Sequence, residues 1–230
     1  MLKKYQGKLY CFSPPVMLLT FLFEFGAAFY TIWRYKMTTT SRLAVSILLA
    51  LGTFQLAEYM ICGGLGLSNV EWAKLGYASI TLLPALGIHI ILSIANKKSR
   101  ALLSFAYATC AAFLVFFVFV NQAVSAESCQ PNYAVFSTDS ISVWPYIIYY
   151  YGWMLVGTFL AFKWSQEIPK AKKALIGMSI GYLSFILPTT FFNIIDPSTV
   201  KGIPSIMCGF AVLLAIVIVT VVLPHSAKKR

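Results

Sequence analysis

The sequence predicts an all-α, polytopic integral membrane protein with seven transmembrane helices, its N-terminus outside and its C-terminus cytoplasmic. Hydrophobic residues make up 59% of the chain and charged residues 11%, against roughly 45–50% and about 25% in soluble proteins. The apolar residues fall into seven runs, each near the roughly 20 residues that a helix needs to cross a bilayer. Lysine and arginine collect in alternate connections between those runs. A β-barrel would show segments of about ten residues that alternate apolar and polar, whereas Leu213 to Leu223 is continuously apolar. The 230 residues leave room for seven spans and no separate soluble domain.

The first span is expected over about 15–34. Lys3, Lys4 and Lys8 precede it, but the run that follows Pro14-Pro15 lacks a small-residue cleavage site, so it reads as a retained span and not a signal peptide. Proline is tolerated in a first turn, where its missing N–H is not needed. The second span, about 42–62, ends at Gly63-Gly64, and Gly63 to Gly66 reads as a helix end and turn. The third, about 72–95, contains Pro84 and closes at Asn96-Lys97-Lys98.

The fourth span covers about 100–120. The one long connection, 121–142, follows it and holds Cys129, Pro131 and the β-prone run Tyr133-Ala134-Val135-Phe136. Connections of this length are often lids or binding loops. The fifth span, about 143–164, is dense in aromatics. Trp144 and Tyr146 suit an interfacial belt, and Tyr149, Tyr150, Tyr151 and Trp153 suit helix packing. The sixth is expected over about 173–195 with Pro188 inside it, and the seventh over about 204–223. Gly177 and Gly181 give the sixth a small-xxx-small face for close packing within or between chains.

Orientation follows from the basic residues, because short cytoplasmic loops retain positive charge. With the N-terminus outside, 13 lysines and arginines lie inside and five outside, where Glu71, Glu127, Asp139 and Asp196 accompany them. The three N-terminal lysines argue the other way. Contact of the inner loops with anionic lipid accounts for the net charge of +11, so no nucleic-acid partner is needed. The cell membrane, crossed several times, is the expected location.

Ionisable and amide groups within the spans carry the functional signal, since such groups are expensive in hydrocarbon. Glu24 lies about 15 Å into the first span and Glu58 roughly 6–8 Å below the outer end of the second, while His89 is about 25 Å below the outer end of the third. Gln55, Glu58 and Cys62 share one face of the second span. Thr189, Thr190 and Asn193 on the sixth span, with Ser205 and Cys208 on the seventh, stand at the level of Glu58 and could ring an outer-half pocket. The same residues also suit a proton path from Glu58 through Glu24 to His89. A structural reading competes with both: carboxyls as helix-joining hydrogen-bond groups, and His89 bonded to a backbone carbonyl. Cys11, Cys62, Cys129 and Cys208 fall at or near the outer face, where an oxidising compartment would permit one disulfide, for example through Cys129. No C-x-x-C or H-x-x-x-H spacing points to a metal, and no cofactor is called for.

Several activities are disfavoured. A retinal Schiff base wants a lysine in the middle of the last span, and none lies between Lys201 and Lys228. Bis-histidine haem wants two buried histidines, and His225 is in the tail. G-x-S-x-G, H-E-x-x-H and a phosphate-binding glycine loop are all missing, so an enzyme is not favoured.

Cys11-Phe12-Ser13, Phe54-Gln55-Leu56-Ala57-Glu58, Pro84 to His89, Pro188-Thr189 and Cys208-Gly209-Phe210-Ala211 together resemble a family of small seven-helix bacterial membrane proteins without an assigned activity. The chain departs from that pattern in carrying no histidine in its fifth span. Trp72 to Tyr77 followed by Pro84 is similar to the seven-helix sensor region found ahead of histidine kinases, which implies small-ligand sensing. Three functions follow as expectations. The first is a receptor-like module that binds a small ligand near Gln55, Glu58 and Asn193. The second is a proton-coupled transporter or channel using Glu24, Glu58 and His89. The third is an accessory subunit or homo-oligomer that meets a membrane partner through its apolar faces and Gly177/Gly181.

Overall fold

The structure, a computed structural model, describes residues 14–63, 66–120, 123–129, 134–138, 140–197 and 202–230. Among them are seven long helices and one β-hairpin: α1 Pro14–Arg34, α2 Thr39–Gly63, α3 Asn69–Ala95, α4 Arg100–Phe119, β1 Val124–Cys129, β2 Ala134–Thr138, α5 Ser140–Glu167, α6 Lys172–Ile195 and α7 Ile203–Ser226. Six helices are long and apolar enough to cross a membrane: α1, α2, α3, α4, α6 and α7. Helix α5 is 28 residues long, but four tyrosines between Tyr146 and Tyr151 make it less apolar than its neighbours.

Helices begin and end where local chemistry directs. Ser68 caps α3 by accepting from the Glu71 N–H while the Glu71 carboxylate accepts from the Ser68 N–H, a reciprocal capping box that starts the helix at Asn69, three residues ahead of Trp72. Asn96 ends α3 in the left-handed region at φ 50°. Gly66, at φ +75°, turns the chain from α2 into α3. In α7 the helix widens into a π segment at Ile218–Val222 just ahead of Pro224, whose ring cannot follow a regular turn.

Helices α2 and α3 form the centre. Helix α1 packs on α2 and α7, α7 on α6 and α2, α5 on α6 and α3, and α4 mainly on α3. Close approach is set by glycines. A Cβ on Gly181 would come within 2.6 Å of Leu214 Cδ1, and one on Gly177 within 3.0 Å of Val221, so both glycines serve α6–α7 packing inside the chain. That is the within-chain alternative of the two offered by the sequence. A Cβ on Gly52 would lie 2.5 Å from the Phe25 ring and 3.5 Å from Glu24 Cβ, so this glycine lets α1 settle against α2.

The long connection adds a two-stranded antiparallel sheet to the helical class. Val124 pairs with Thr138 and Ala126 with Phe136, a bulge follows, and Cys129 pairs with Ala134. The β-prone run read from the sequence thus enters β2 at Ala134, while Tyr133 and Pro131 lie outside the described residues. Phe136 anchors the hairpin: it is buried, with its ring centroid 5.9 Å from Phe54 on α2 and 5.4 Å from Tyr77 on α3.

At the other end of the bundle, the C-terminal tail pairs with the α1–α2 connection. The Lys36 N–H donates to the Lys228 carbonyl at 2.8 Å, and the Arg230 N–H to the Arg34 carbonyl at 3.1 Å. Lys97 joins the α3–α4 connection to the end of α5, with its Nζ 2.6 Å from the Glu167 carboxylate and 5.0 Å from the Trp164 ring centroid.

Candidate functional site

Glu24, Gln55 and Glu58 are among the most buried polar side chains in the chain, at 0%, 2% and 1% exposed. Helix α2 presents Gln55 and Glu58 one turn apart on the face it turns inward, and α1 brings Glu24 against Gly52, one turn from Gln55. Helix α7 completes the group. The Ser205 hydroxyl donates to one oxygen of Glu58, and Cys208, one turn further along, lies within electrostatic reach of both carboxyls. Tyr77 of α3 stands within the same reach of Glu58 and Cys208, and its ring touches Phe136 of the hairpin. Both oxygens of Glu24, Oε1 of Glu58 and Nε2 of Gln55 have no protein hydrogen-bond partner. Buried polar groups are nearly always paired, so these four atoms, spread along the α1–α2 contact, mark where the bundle is chemically incomplete.

The space beside this knot is small. A cavity of about 10 Å³, room for about one water, is lined by Leu51, Leu83, Tyr150, Tyr182, Cys208 and their neighbours. Cys208 is shared between the polar knot and this apolar chamber. Thr189 and Thr190, expected on a pocket rim, donate instead to the carbonyls of Phe185 and Ile186 on their own helix. Asn193 is half-buried in the last turn of α6, among outward-facing Phe191, Phe192, Ile194 and Ile195.

His89 belongs elsewhere. It is half-buried, and its Nδ1 is 3.0 Å from the Tyr107 hydroxyl across the α3–α4 contact. Twenty residues of α3 separate it from Asn69, about 30 Å, whereas Glu58 is about 8 Å from the matching end of α2. Glu24, about 15 Å from the same end, is therefore still roughly 15 Å along the bundle from His89. The partner expected for this histidine was a backbone carbonyl; it is a tyrosine.

Cys110 and Cys208 are buried free thiols, which removes Cys208 from the candidates for a disulfide. Cys62 is half-buried in the last turn of α2. Cys11 and the side chain of Cys129 lie outside the described residues. Among the described residues no group of three or more His, Cys, Asp or Glu side chains is placed to hold a metal ion.

A second polar centre, unforeseen in the sequence, surrounds Pro84. Its ring opens the preceding turn of α3. The Thr81 carbonyl there accepts from the Tyr149 hydroxyl at 2.7 Å and from the Cys110 thiol at 3.4 Å. The Thr81 hydroxyl lies 3.1 Å from that of Tyr146. Neighbouring helices thus bond a carbonyl in the turn that the proline disturbs. Tyrosines at 146 and 149, three apart on one helix, are the signal that could have pointed to it.

Comparison of the chain with protein-family models, with curated proteins and with solved structures gives no match, so neither resemblance noted in the sequence is carried further.

Proposed function

We propose that the chain is a seven-span, receptor-like membrane module that binds a small ligand at the buried knot of Glu24, Gln55, Glu58 and Ser205. The observation that carries this reading is the set of four partnerless polar atoms on α1 and α2. Left unsatisfied, such groups cost on the order of 1–3 kcal/mol each, and a polar ligand between the two helices would satisfy several at once. In this reading α5 is the seventh span, the hairpin faces outside, and the basic connections face the cytoplasm and pass the change to a partner. A disulfide from Cys62 to Cys129, holding the hairpin to α2, belongs to the same arrangement. Intact mass after alkylation should then count three free thiols without reductant and five with it; five in both would remove the bond.

The test is thermal unfolding of the purified chain against a panel of small amines, amides, acids and sugars. A ligand at about 100 times its Kd stabilises by about 2.7 kcal/mol, a readable rise in Tm. That rise should vanish in Glu58→Gln. A panel in which no compound of any charge stabilises the wild type would overturn the reading.

One observation favours transport as a second reading. Glu24 and Glu58 stand at different depths on facing helices, two steps of a proton path that does not include His89. Proteoliposomes should then show pH-driven flux that Glu24→Gln abolishes and His89→Ala leaves intact.

A further inference from the structure

We infer that the strap in which residues 34–36 meet residues 228–230 is a binding site for the phosphate headgroup of an anionic phospholipid, and that the bound lipid holds the tail to the α1–α2 connection.

Backbone geometry leads to it first. Tyr35 and Lys229 form an antiparallel bridge, flanked by the hydrogen bonds from Lys36 to Lys228 and from Arg230 to Arg34. That register sets Arg34 opposite Arg230 and Lys36 opposite Lys228. Opposed residues of an antiparallel pair stand only about 4.5–5.5 Å apart at Cα, and like charges directly opposite one another repel. Alternate residues share a face, so these four cations stand together, away from the side on which Tyr35 is buried. Lys229 adds a fifth charge to the strap. Lys36, Lys228, Lys229 and Arg230 are exposed, and Arg34 is half-buried.

The counter-charge has to come from outside the chain. Among the described residues no acid forms an ion pair with the strap: Glu167, the lone acid at this end, is held 2.6 Å from Lys97. Two opposed pairs of arginine and lysine suit phosphate, which arginine binds through two parallel hydrogen bonds and lysine as a point charge.

Position selects a lipid over a soluble anion. The strap starts at the last residue of α1, a helix long and apolar enough to span a membrane. Helix α1 packs on α2 and α7 and leaves its other side uncovered. There Trp33, next to Arg34, is 74% exposed, and Tyr30, one turn earlier, is 41% exposed. Exposed tryptophan and tyrosine at the end of a span mark the headgroup level. The strap therefore lies at the height of the lipid phosphates and at the edge of the bundle.

The experiment follows amide hydrogen exchange of the full chain in nanodiscs of phosphatidylcholine alone and of an equal mixture with phosphatidylglycerol, at one ionic strength. Nanodiscs offer lipid at both ends of the bundle, so orientation does not enter. The amides of Lys36 and Arg230, the donors of the strap, should exchange about tenfold more slowly in the mixture. The variant Lys228→Gln/Lys229→Gln/Arg230→Gln, which alters no helix, should lose that difference. The variant Lys170→Gln/Lys172→Gln/Lys173→Gln removes the same charge at the start of α6 and should keep it. Should the tail variant leave the strap open in both lipids, bound lipid decides: wild type released from the mixture into a native mass spectrometer should retain more phosphatidylglycerol than the tail variant. Equal exchange in the two lipids, the same loss in both variants, or equal lipid retention by wild type and tail variant would each overturn the inference. Inorganic phosphate that slows exchange in phosphatidylcholine alone as much as phosphatidylglycerol does would assign the strap to a soluble anion and overturn the lipid.

Discussion

Thr81 shows how one residue can carry a contact between three helices. Its carbonyl, in the turn before Pro84, receives a hydroxyl from α5 and a thiol from α4, and its own hydroxyl returns to the Tyr77 carbonyl at 2.6 Å. Tyr149→Phe should lower stability by about 1 kcal/mol, read as a drop in Tm. An unchanged Tm would show that the Tyr149 hydroxyl contributes nothing to stability. Pro84 is plain in the sequence, but the Thr81 carbonyl that receives these bonds has no side-chain signature, so the aromatic density of α5 read as packing. Glu24, Gln55 and Glu58 were legible because polar groups stand out in apolar runs. Ser205 was legible at the level of Glu58, but its bond to that carboxyl was not, since helix rotation depends on all seven contacts at once.

At the scale of elements, the seven helices were legible to within a few residues, six of them as apolar runs of about 20 residues that suit a bilayer. Starts were less so: Ser68 and Glu71, polar and ahead of the apolar run, belong to α3 through their reciprocal cap. The hairpin escaped because short strands with a bulge give weak alternation; Val124 and Phe136, both buried, show which side faces the bundle. Salt links between elements are sparse enough to test singly. Lys97 holds the Glu167 carboxyl below the usual carboxylate range, chiefly through their hydrogen bond. The stabilisation this supplies is present above the unfolded value of about 4.3 and is lost as pH falls through the lower folded value. Tm should therefore decline as pH is taken below about 4.3, less steeply in Glu167→Gln. The pair is well exposed, so high salt should blunt the difference. Identical acid profiles for the two proteins would show that the link contributes nothing.

For the molecule as a whole, charge separates the two ends. Arg34, Lys36, Arg42, Lys97, Lys98, Arg100, Lys163, Lys170, Lys172, Lys173, Lys228, Lys229 and Arg230 gather at one end, where Glu167 is the lone acid among the described residues. The tail that carries the last three pairs with the α1–α2 connection, so this end behaves as one basic plate. Each such residue near an anionic leaflet is worth about 1 kcal/mol, and short loops rich in lysine and arginine resist translocation. Both effects favour the proposed orientation, with the plate in the cytoplasm and the hairpin outside. A fluorescent reporter that matures only in the cytoplasm should glow when fused after Arg230, and alkaline phosphatase, active only outside, should be silent there. Inserted at Pro131 the two should exchange behaviour. Neutralising Lys170, Lys172 and Lys173 together with Lys97 and Lys98 should weaken this bias and give a mixed population. The reverse reporter pattern in the unaltered chain would invert the topology and turn the basic plate, with its partner surface, to the outside.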